Sequence, residues 1–386
     1  MNQSAVALIF ELIRSEICGT SLSDELISDM TLETLSEIYN VSKQHDVAHI
    51  VASALLSRGL VPDGELKASF SKEQMTAVFR HAQLRHELDR VSRALEGAGI
   101  DYIPLKGSVL RRYYPRPELR TSCDIDVYVR ECDVDAASSA LVDKLNMKPA
   151  GRTTHDVSFH SASKTHLELH YDLIENDARV AGILSRVFEL SSRASGSEHR
   201  FEMSTELFVF YHIAHMAKHF SGGGCGVRPF IDLWVLKHRM GYDPDKLHAY
   251  LSESGLLTFA ESAMLLSDVW FDGAEHTELT RTMQDYITGS SIYGKMEDRV
   301  AIKQSRSGGK IRYIISRLFP PCSQLKRVYP RLQKYPVLYP FYLLKRIFGA
   351  VFRGRSSRMI AELKYNSSVS NEKQKHLLNM LNELGL

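Results

Sequence analysis

An α+β fold, a small α/β core flanked by N- and C-terminal helical regions, follows from three features of the 386-residue sequence. Residues 1–97 place apolar side chains at the 3.6-residue period of helices. Residues 98–203 switch to short runs of β-formers alternating with helical patterns, the mark of an α/β unit. From Thr205 to about Val300 the helical period returns.

In the first region Ala5, Leu8, Ile9, Leu12 and Ile13 share a helical face, as do Ile50, Ala54 and Leu55. Ser71 followed by Gln74 has the form of a capping box, so a long helix is expected to open there and run through His81 to Leu95. Gly97 and Gly99 stop it. Ile100 to Leu105 reads as a strand, broken by Lys106-Gly107-Ser108. Val109 to Tyr114 then reads as a short helix ended by Pro115 and Pro117. Ile125 to Val129 is a second strand and Asp133 to Leu145 an amphipathic helix. Val157 to His160 and His166 to His170 are further strands. In the second helical region Asp243-Pro244 is an N-cap followed by proline at the first helical position.

These changes divide the chain into a helical region (1–97), a core (98–203), a helical domain (204–302), a basic aromatic-rich segment (303–360) and a closing helix (361–386). Hydrophobic residues at 44% and charged residues at 24% exclude collagen-like, coiled-coil and wholly disordered chains. The net charge of +2 names no partner, but its distribution does. Residues 303–358 hold fourteen Lys and Arg and no Asp or Glu, so the remainder carries −12. The same stretch interleaves Tyr313, Phe319, Tyr329, Tyr335, Tyr339, Phe341, Tyr342, Phe348 and Phe352. Such a surface fits an anionic partner, through peripheral contact with an anionic membrane or with nucleic acid, or packing against the acidic remainder. Five scattered cysteines without a C-x-x-C pair point to a reducing compartment. With no basic leader and no run of about 18 apolar residues, a cytoplasmic protein is expected.

Four features of the core carry chemistry. Lys106-Gly107-Ser108 ends a strand and opens a helix, where glycine lets the backbone approach a phosphate and N–H groups attract anions. Arg120 is a fixed cation just before the acidic strand and a candidate nucleotide contact. Asp124 and Asp126 stand at i and i+2 of that strand, on one face and about 6.5–7 Å apart by strand rise. In His166-Leu167-Glu168-Leu169-His170, alternation sends the leucines to the core and His166, Glu168 and His170 to the other face. Three carboxylates beside a glycine-serine turn suit two-metal nucleotidyl transfer, with Mg²⁺ as the cation and Mn²⁺ as an alternative. In that reading Asp124 and Asp126 bridge the metals, and Glu168 completes the site of the metal serving the acceptor. Each piece alone also has a plain structural reading: a solvated strand end, an ordinary turn, a surface carboxylate. Their order in the chain is what favours the metal site.

Leu105-Lys-Gly-Ser108, Tyr114-Pro115, Arg120, Asp124-Ile-Asp126-Val and Leu167-Glu-Leu-His170 together resemble the DNA-polymerase-β-like nucleotidyltransferase superfamily. Within it they are similar to an uncharacterised bacterial nucleotidyltransferase family, whose helical half is matched by His212-Ile-Ala-His215-Met-Ala-Lys218-His219 and Phe230-Ile-Asp232-Leu-Trp234. The resemblance covers roughly residues 45–345. It implies that Gly107 and Ser108 hold an NTP triphosphate and that Asp124, Asp126 and Glu168 are the catalytic acids. Fifteen residues with two prolines separate Ser108 from Asp124, longer than the superfamily's usual spacing. The acceptor is unknown, with a small molecule or glycan precursor favoured over RNA or protein.

His212, His215 and His219 fall on one helical face, as a metal cluster, a nucleotide-pocket lining or a half-buried polar stripe. Lys106, Lys218, Arg228 and Asp232 are candidate nucleotide or acceptor contacts, and Asp232 reads equally as a helix N-cap. Two other functions stay open: a metal-dependent glycosyltransferase of the GT-A type, which also uses D-x-D, and a non-catalytic nucleotide- or RNA-binding module.

Overall fold

The computed structural model describes residues 3–28, 30–175, 177–289, 296–352, 365 and 370–386. Helices α1 (Gln3–Ile17), α2 (Asp24–Ser28), α3 (Leu32–Gln44) and α4 (Ala48–Ser57) come first. The periodic apolar positions Leu12, Ile13, Ile50 and Leu55 are buried among them, as periodicity predicts. Helix α5 (Glu65–Glu96) is longer than the capping signal implied. Ser71 and Gln74 lie inside it, so the expected capping box does not form. The helix starts instead after Gly64, at φ 146°, because extending an established helix is easier than nucleating a new one.

The core sheet holds β1 (Tyr102–Pro104), β2 (Asp124–Val129), β3 (Lys148–Arg152), β4 (Asp156–His160) and β5 (His166–His170), in the order β1-β2-β5-β4-β3. Only β2 and β5 pair in parallel; the other neighbours are antiparallel. Between β1 and β2 the chain makes α6 (Gly107–Leu110) and two 3₁₀ turns, Arg111–Tyr113 and Pro117–Leu119. The unusually long spacing between Ser108 and Asp124 is filled by these turns. Helix α7 (Val134–Leu145) follows β2. Strand β3 carried no sequence signal, since Pro149 and Gly151 argue against a strand; as an edge strand with a register shift between them it tolerates both.

Ile125, Val127, Leu167 and Leu169 turn to one side of the sheet and pack with Leu84, Val91 and Leu95 of α5 and Ala137 and Leu141 of α7. That apolar face is closed, which leaves the opposite face for polar side chains. Helix α8 (Ala181–Leu184) and a ribbon of β6 (Ser191–Arg193) and β7 (Phe201–Met203) lead out of the core.

Helices α9 (Thr205–Phe220), α10 (Arg228–Val235), α11 (Pro244–Glu253), α12 (Leu257–Phe271) and α13 (Glu278–Thr288) follow. Ser204 caps α9 by accepting from the Leu207 N–H, and Asp243 caps α11 through the N–H groups of Asp245 and Lys246, as the Asp-Pro signal predicted. Their apolar faces share one hydrophobic core with α1, α3 and α4. The structure is thus a mostly helical α+β fold around a central mixed five-stranded sheet.

The basic segment is helical where described: α14 (Met296–Arg306), α15 (Lys310–Leu318), α16 (Cys322–Val328), α17 (Pro330–Lys334) and α18 (Tyr339–Phe352). Arg353, Arg355 and Arg358 lie outside the described residues. The described closing helix is Asn371–Glu383, and its expected first part from Ala361 also lies outside them. No described helix is long and apolar enough to cross a membrane.

Candidate active site

Strands β2 and β5 pair so that register partners project from the same face: Asp126 is opposite Glu168 and Asp124 opposite His166. Two donor sets result, Asp124–His166–Glu168 and Asp126–Glu168–His170, each with its donor atoms within 4.8 Å of one another. The three acids expected from sequence come together. Glu168 is the member common to both sets, rather than the aspartate pair alone. Alternation puts His166 and His170 on this face, and each is a member of one donor set.

Asp126 is 3% exposed, and its Oδ1 accepts from both His170 Nε2 and Lys106 Nζ, each at 2.8 Å. Burial pushes its carboxyl pKa up, but Lys106 and His170 outweigh this and hold it well below the carboxylate range. Asp124 moves the other way, raised by burial and then by the Asp126 charge. A hydrogen bond from His170, whose Nε2 lies 3.4 Å from Glu168 Oε2, lowers the Glu168 pKa. His170 itself is buried, which disfavours its charge, yet the two carboxylates raise its pKa.

Lys106 reaches Asp126 from the turn between β1 and α6, at φ 46°, a left-handed backbone that costs a lysine about 1–3 kcal/mol. Burial works against its charge, but Asp126 more than compensates and raises its pKa. Gly107 is tightly enclosed: a Cβ there would lie 3.3 Å from both Arg111 Nη2 and Ser122 Oγ. The side chain of Arg111 passes through this space, donating to Ser122 Oγ and, at 3.0 Å, to the Arg120 carbonyl. The space a side chain would take at Gly107 is therefore already filled by protein side chains. Ser108 Oγ is buried beside this turn with no hydrogen-bond partner.

Helix α9 faces the polar side of the sheet. The Tyr211 hydroxyl and His215 feel the charges of Lys106 and Asp126. The histidine stripe divides. His212 Nε2 bonds the Pro229 carbonyl at 3.1 Å, whereas His215 and His219 meet each other, Nε2 to Nε2 at 3.2 Å. Burial, then the charges of Lys218 and Lys106, lowers His219 to about 4. Among the described residues these three form no metal-binding set. Lys218 pairs with Glu175, and burial followed by the Lys106 charge lowers its pKa.

A family model described as an uncharacterised nucleotidyltransferase matches residues 33–272, more than half of the chain and all of the features above. The chain belongs to this nucleotidyltransferase family. Membership implies transferase activity on a nucleotide substrate. No curated protein and no solved structure matches it. The match ends at residue 272, short of the residue 345 reached by the sequence resemblance, and leaves the basic segment of this nucleotidyltransferase outside.

Two expected contacts of the nucleotidyltransferase need correcting. Arg120 is not presented to a nucleotide: its Nε and Nη2 donate to the two carboxylate oxygens of Asp232 at 2.7 and 2.8 Å, and its Nη1 donates to the Thr121 carbonyl at 2.6 Å. Asp232 is not an N-cap, since it lies inside α10, fully buried, where the Tyr114 hydroxyl donates to it at 2.6 Å. A charged group without a partner could not be buried so deeply, so each residue requires the other. Arg228 is likewise engaged, with Asp46 at 2.6 Å and the Thr121 carbonyl at 2.9 Å. These bonds lock the loop before Asp124 onto the helical half.

Sequence reasoning missed Arg111. It is buried, and burial, then Arg120, pushes its pKa down to about 10 although Asp124 and Asp126 counteract. Nothing local marks it, because only the fold turns the 3₁₀ segment toward β2. Elsewhere, a cleft of about 400 Å³ with mainly apolar walls is lined by His49, Val78, Arg116 and Leu119 among others, and none of the three acids lines it. A third donor set, His238–Asp268–Asp272, includes none of the three acids; there Lys237 donates to Asp268 at 2.7 and 2.8 Å and Trp234 to Asp272 at 2.6 Å.

Proposed function

We propose that this protein is a Mg²⁺- or Mn²⁺-dependent nucleotidyltransferase with a DNA-polymerase-β-like core, akin to the bacterial members its motifs resemble. It transfers a nucleoside monophosphate from an NTP to a hydroxyl acceptor. The observation that carries the reading is the register of Asp126 opposite Glu168, which joins two donor sets through one carboxylate. Three carboxylates suit a hard divalent cation, and the neighbouring His166 and His170 make Mn²⁺ acceptable. Asp124, Asp126 and Glu168 would hold the ions, which supply charge neutralisation at the phosphates and a lowered pKa for the attacking hydroxyl.

In the transfer the acceptor oxygen bonds to the α-phosphorus, the α–β phosphoanhydride bond breaks and pyrophosphate leaves. The hydroxyl proton passes to solvent on the Glu168 side. Lys106, the Gly107–Ser108 turn and Lys218 are the triphosphate contacts; the buried, unpartnered Ser108 hydroxyl supports that part. Lys106 is held on Asp126 and so links the acid pair to the phosphates. Arg120 acts through Asp232, as a positioning residue. A hydroxylated small molecule or glycan precursor is the favoured acceptor.

Incubating the protein with each α-labelled NTP, Mg²⁺ and fractionated lysate tests this. Label uptake with matching release of pyrophosphate is the expected result and identifies the acceptor class. Release of UDP from a sugar nucleotide would replace the reading with a glycosyltransferase, and neither product would leave a binding module.

A further inference from the structure

The segment beyond the family match carries the inference. We propose that helices α15 to α18 form a docking surface for an anionic lipid bilayer. Residues 303–358 hold fourteen cations and no acid. The structure sorts the apolar residues among those charges. Tyr313 is 2% exposed and anchors α15 in the main core, while Tyr342 packs with Leu325 and Leu332 in a small core of their own.

What remains faces water. Ile311 and Ile315 are 74% and 53% exposed, and they stand at i and i+4 on the face of α15 opposite Tyr313. Val337, Phe341 and Leu344 are 82%, 61% and 54% exposed around the start of α18. Phe341 and Leu344 are at i and i+3, again on one side of their helix. Arg312, Arg331, Lys334 and Lys345 are exposed among them. Helices α15 and α18 thus each have one residue fastened inward and an apolar pair outward beside cations, the arrangement of an interfacial helix.

The chemistry selects lipid over nucleic acid. Exposed aliphatic side chains such as Ile311, Ile315 and Val337 offer a base neither a stacking face nor a hydrogen bond, whereas the acyl boundary of a bilayer takes them out of water. Cations without intervening acids match a negatively charged headgroup layer.

The test is co-sedimentation of the full chain with phosphatidylglycerol/phosphatidylcholine vesicles, against phosphatidylcholine alone, at about 0.1 M salt, where the Debye length is about 10 Å. Binding to the anionic vesicles only is expected. The charge-neutral variant Ile311→Ser/Ile315→Ser/Phe341→Ser should weaken it by about tenfold or more. Lys334→Glu/Lys345→Glu should also weaken it and make the remainder less sensitive to salt. All these positions are exposed, and an unchanged thermal unfolding midpoint verifies the fold of each variant. Failure to bind anionic vesicles overturns the proposal. So does binding that the serine variant leaves intact, or preferential binding of an RNA oligonucleotide. None of these results depends on the transfer reaction, so its outcome stands apart.

Discussion

Glu168 of β5 faces Asp126 of β2 as its register partner, and His170, one step further along the same face of β5, bonds the same Asp126 at 2.8 Å. The β2–β5 register makes this possible, since register partners on paired strands carry their side chains on a common side. Lys106 closes the group from the turn after β1. Strand pairing, rather than any single motif, therefore assembles the candidate site, and removing its members one at a time has separable consequences.

If Asp124 holds a metal as proposed, Asp124→Asn should lower transfer by about a hundredfold or more, since metal clamping would contribute several kcal/mol, with little loss of stability at its half-buried position. Asp126→Asn should lose the same activity and also destabilise by about 3–5 kcal/mol, because Lys106 keeps a buried charge without its counterion. Labelled-nucleotide transfer and urea unfolding read the two effects. Full activity in either variant removes the two-metal assignment.

Glu168→Gln should reduce turnover far more than nucleotide affinity, because the proposed transfer places it at the acceptor. Single-turnover transfer beside titration with a non-hydrolysable NTP analogue separates the quantities. Lost affinity with unchanged turnover would reverse the assignment.

Gly107→Ala pushes a Cβ to within 3.3 Å of Arg111 and Ser122, and Gly107→Val pushes further. Overpacking of this kind costs about 1–3 kcal/mol. Weaker binding of the NTP analogue is expected with both, growing with side-chain size. A destabilised protein that binds the analogue with unchanged affinity would confine Gly107 to packing.

Arg120→Met and Asp232→Leu should each destabilise by about 3–5 kcal/mol, since each leaves an unpaired charge in the interior. The double variant should cost clearly less than the two singles added, and urea unfolding of all three gives the coupling. Additive losses would show that the pair does not act as a unit.

His49 is buried and donates from Nε2 to the Leu119 carbonyl at 2.9 Å. Burial, opposed by that bond, lowers its pKa to about 4. Its unfolded value is about 6.5, so between these values the unfolded chain binds the extra proton. Its contribution is therefore complete above about pH 6.5 and is lost as pH falls toward 4, about 3 kcal/mol in all. His49→Gln should flatten the fall in the urea midpoint over that window. An unchanged slope would remove His49 as its cause.

Periodicity and alternation alone determined much of this protein. Alternation in Ile125-Asp-Val127 and Leu167-Glu-Leu169 decided which side chains go to the core and which to the site, because strand side chains point to opposite faces in turn. Asp243-Pro244 marked its helix start, since a cap bonds its own next residues. Tertiary structure decided whatever depends on residues far apart in the chain. Edge strand β3 exists because a neighbour pairs with it despite Pro149 and Gly151. Gly107 yields its space to Arg111 through a loop path that no local pattern encodes. Arg120 looked like a free cation until α10 brought Asp232 to it. A charge is read from sequence, but its partner is set by which elements pack together, and in a low-dielectric interior the partner fixes what that charge can do.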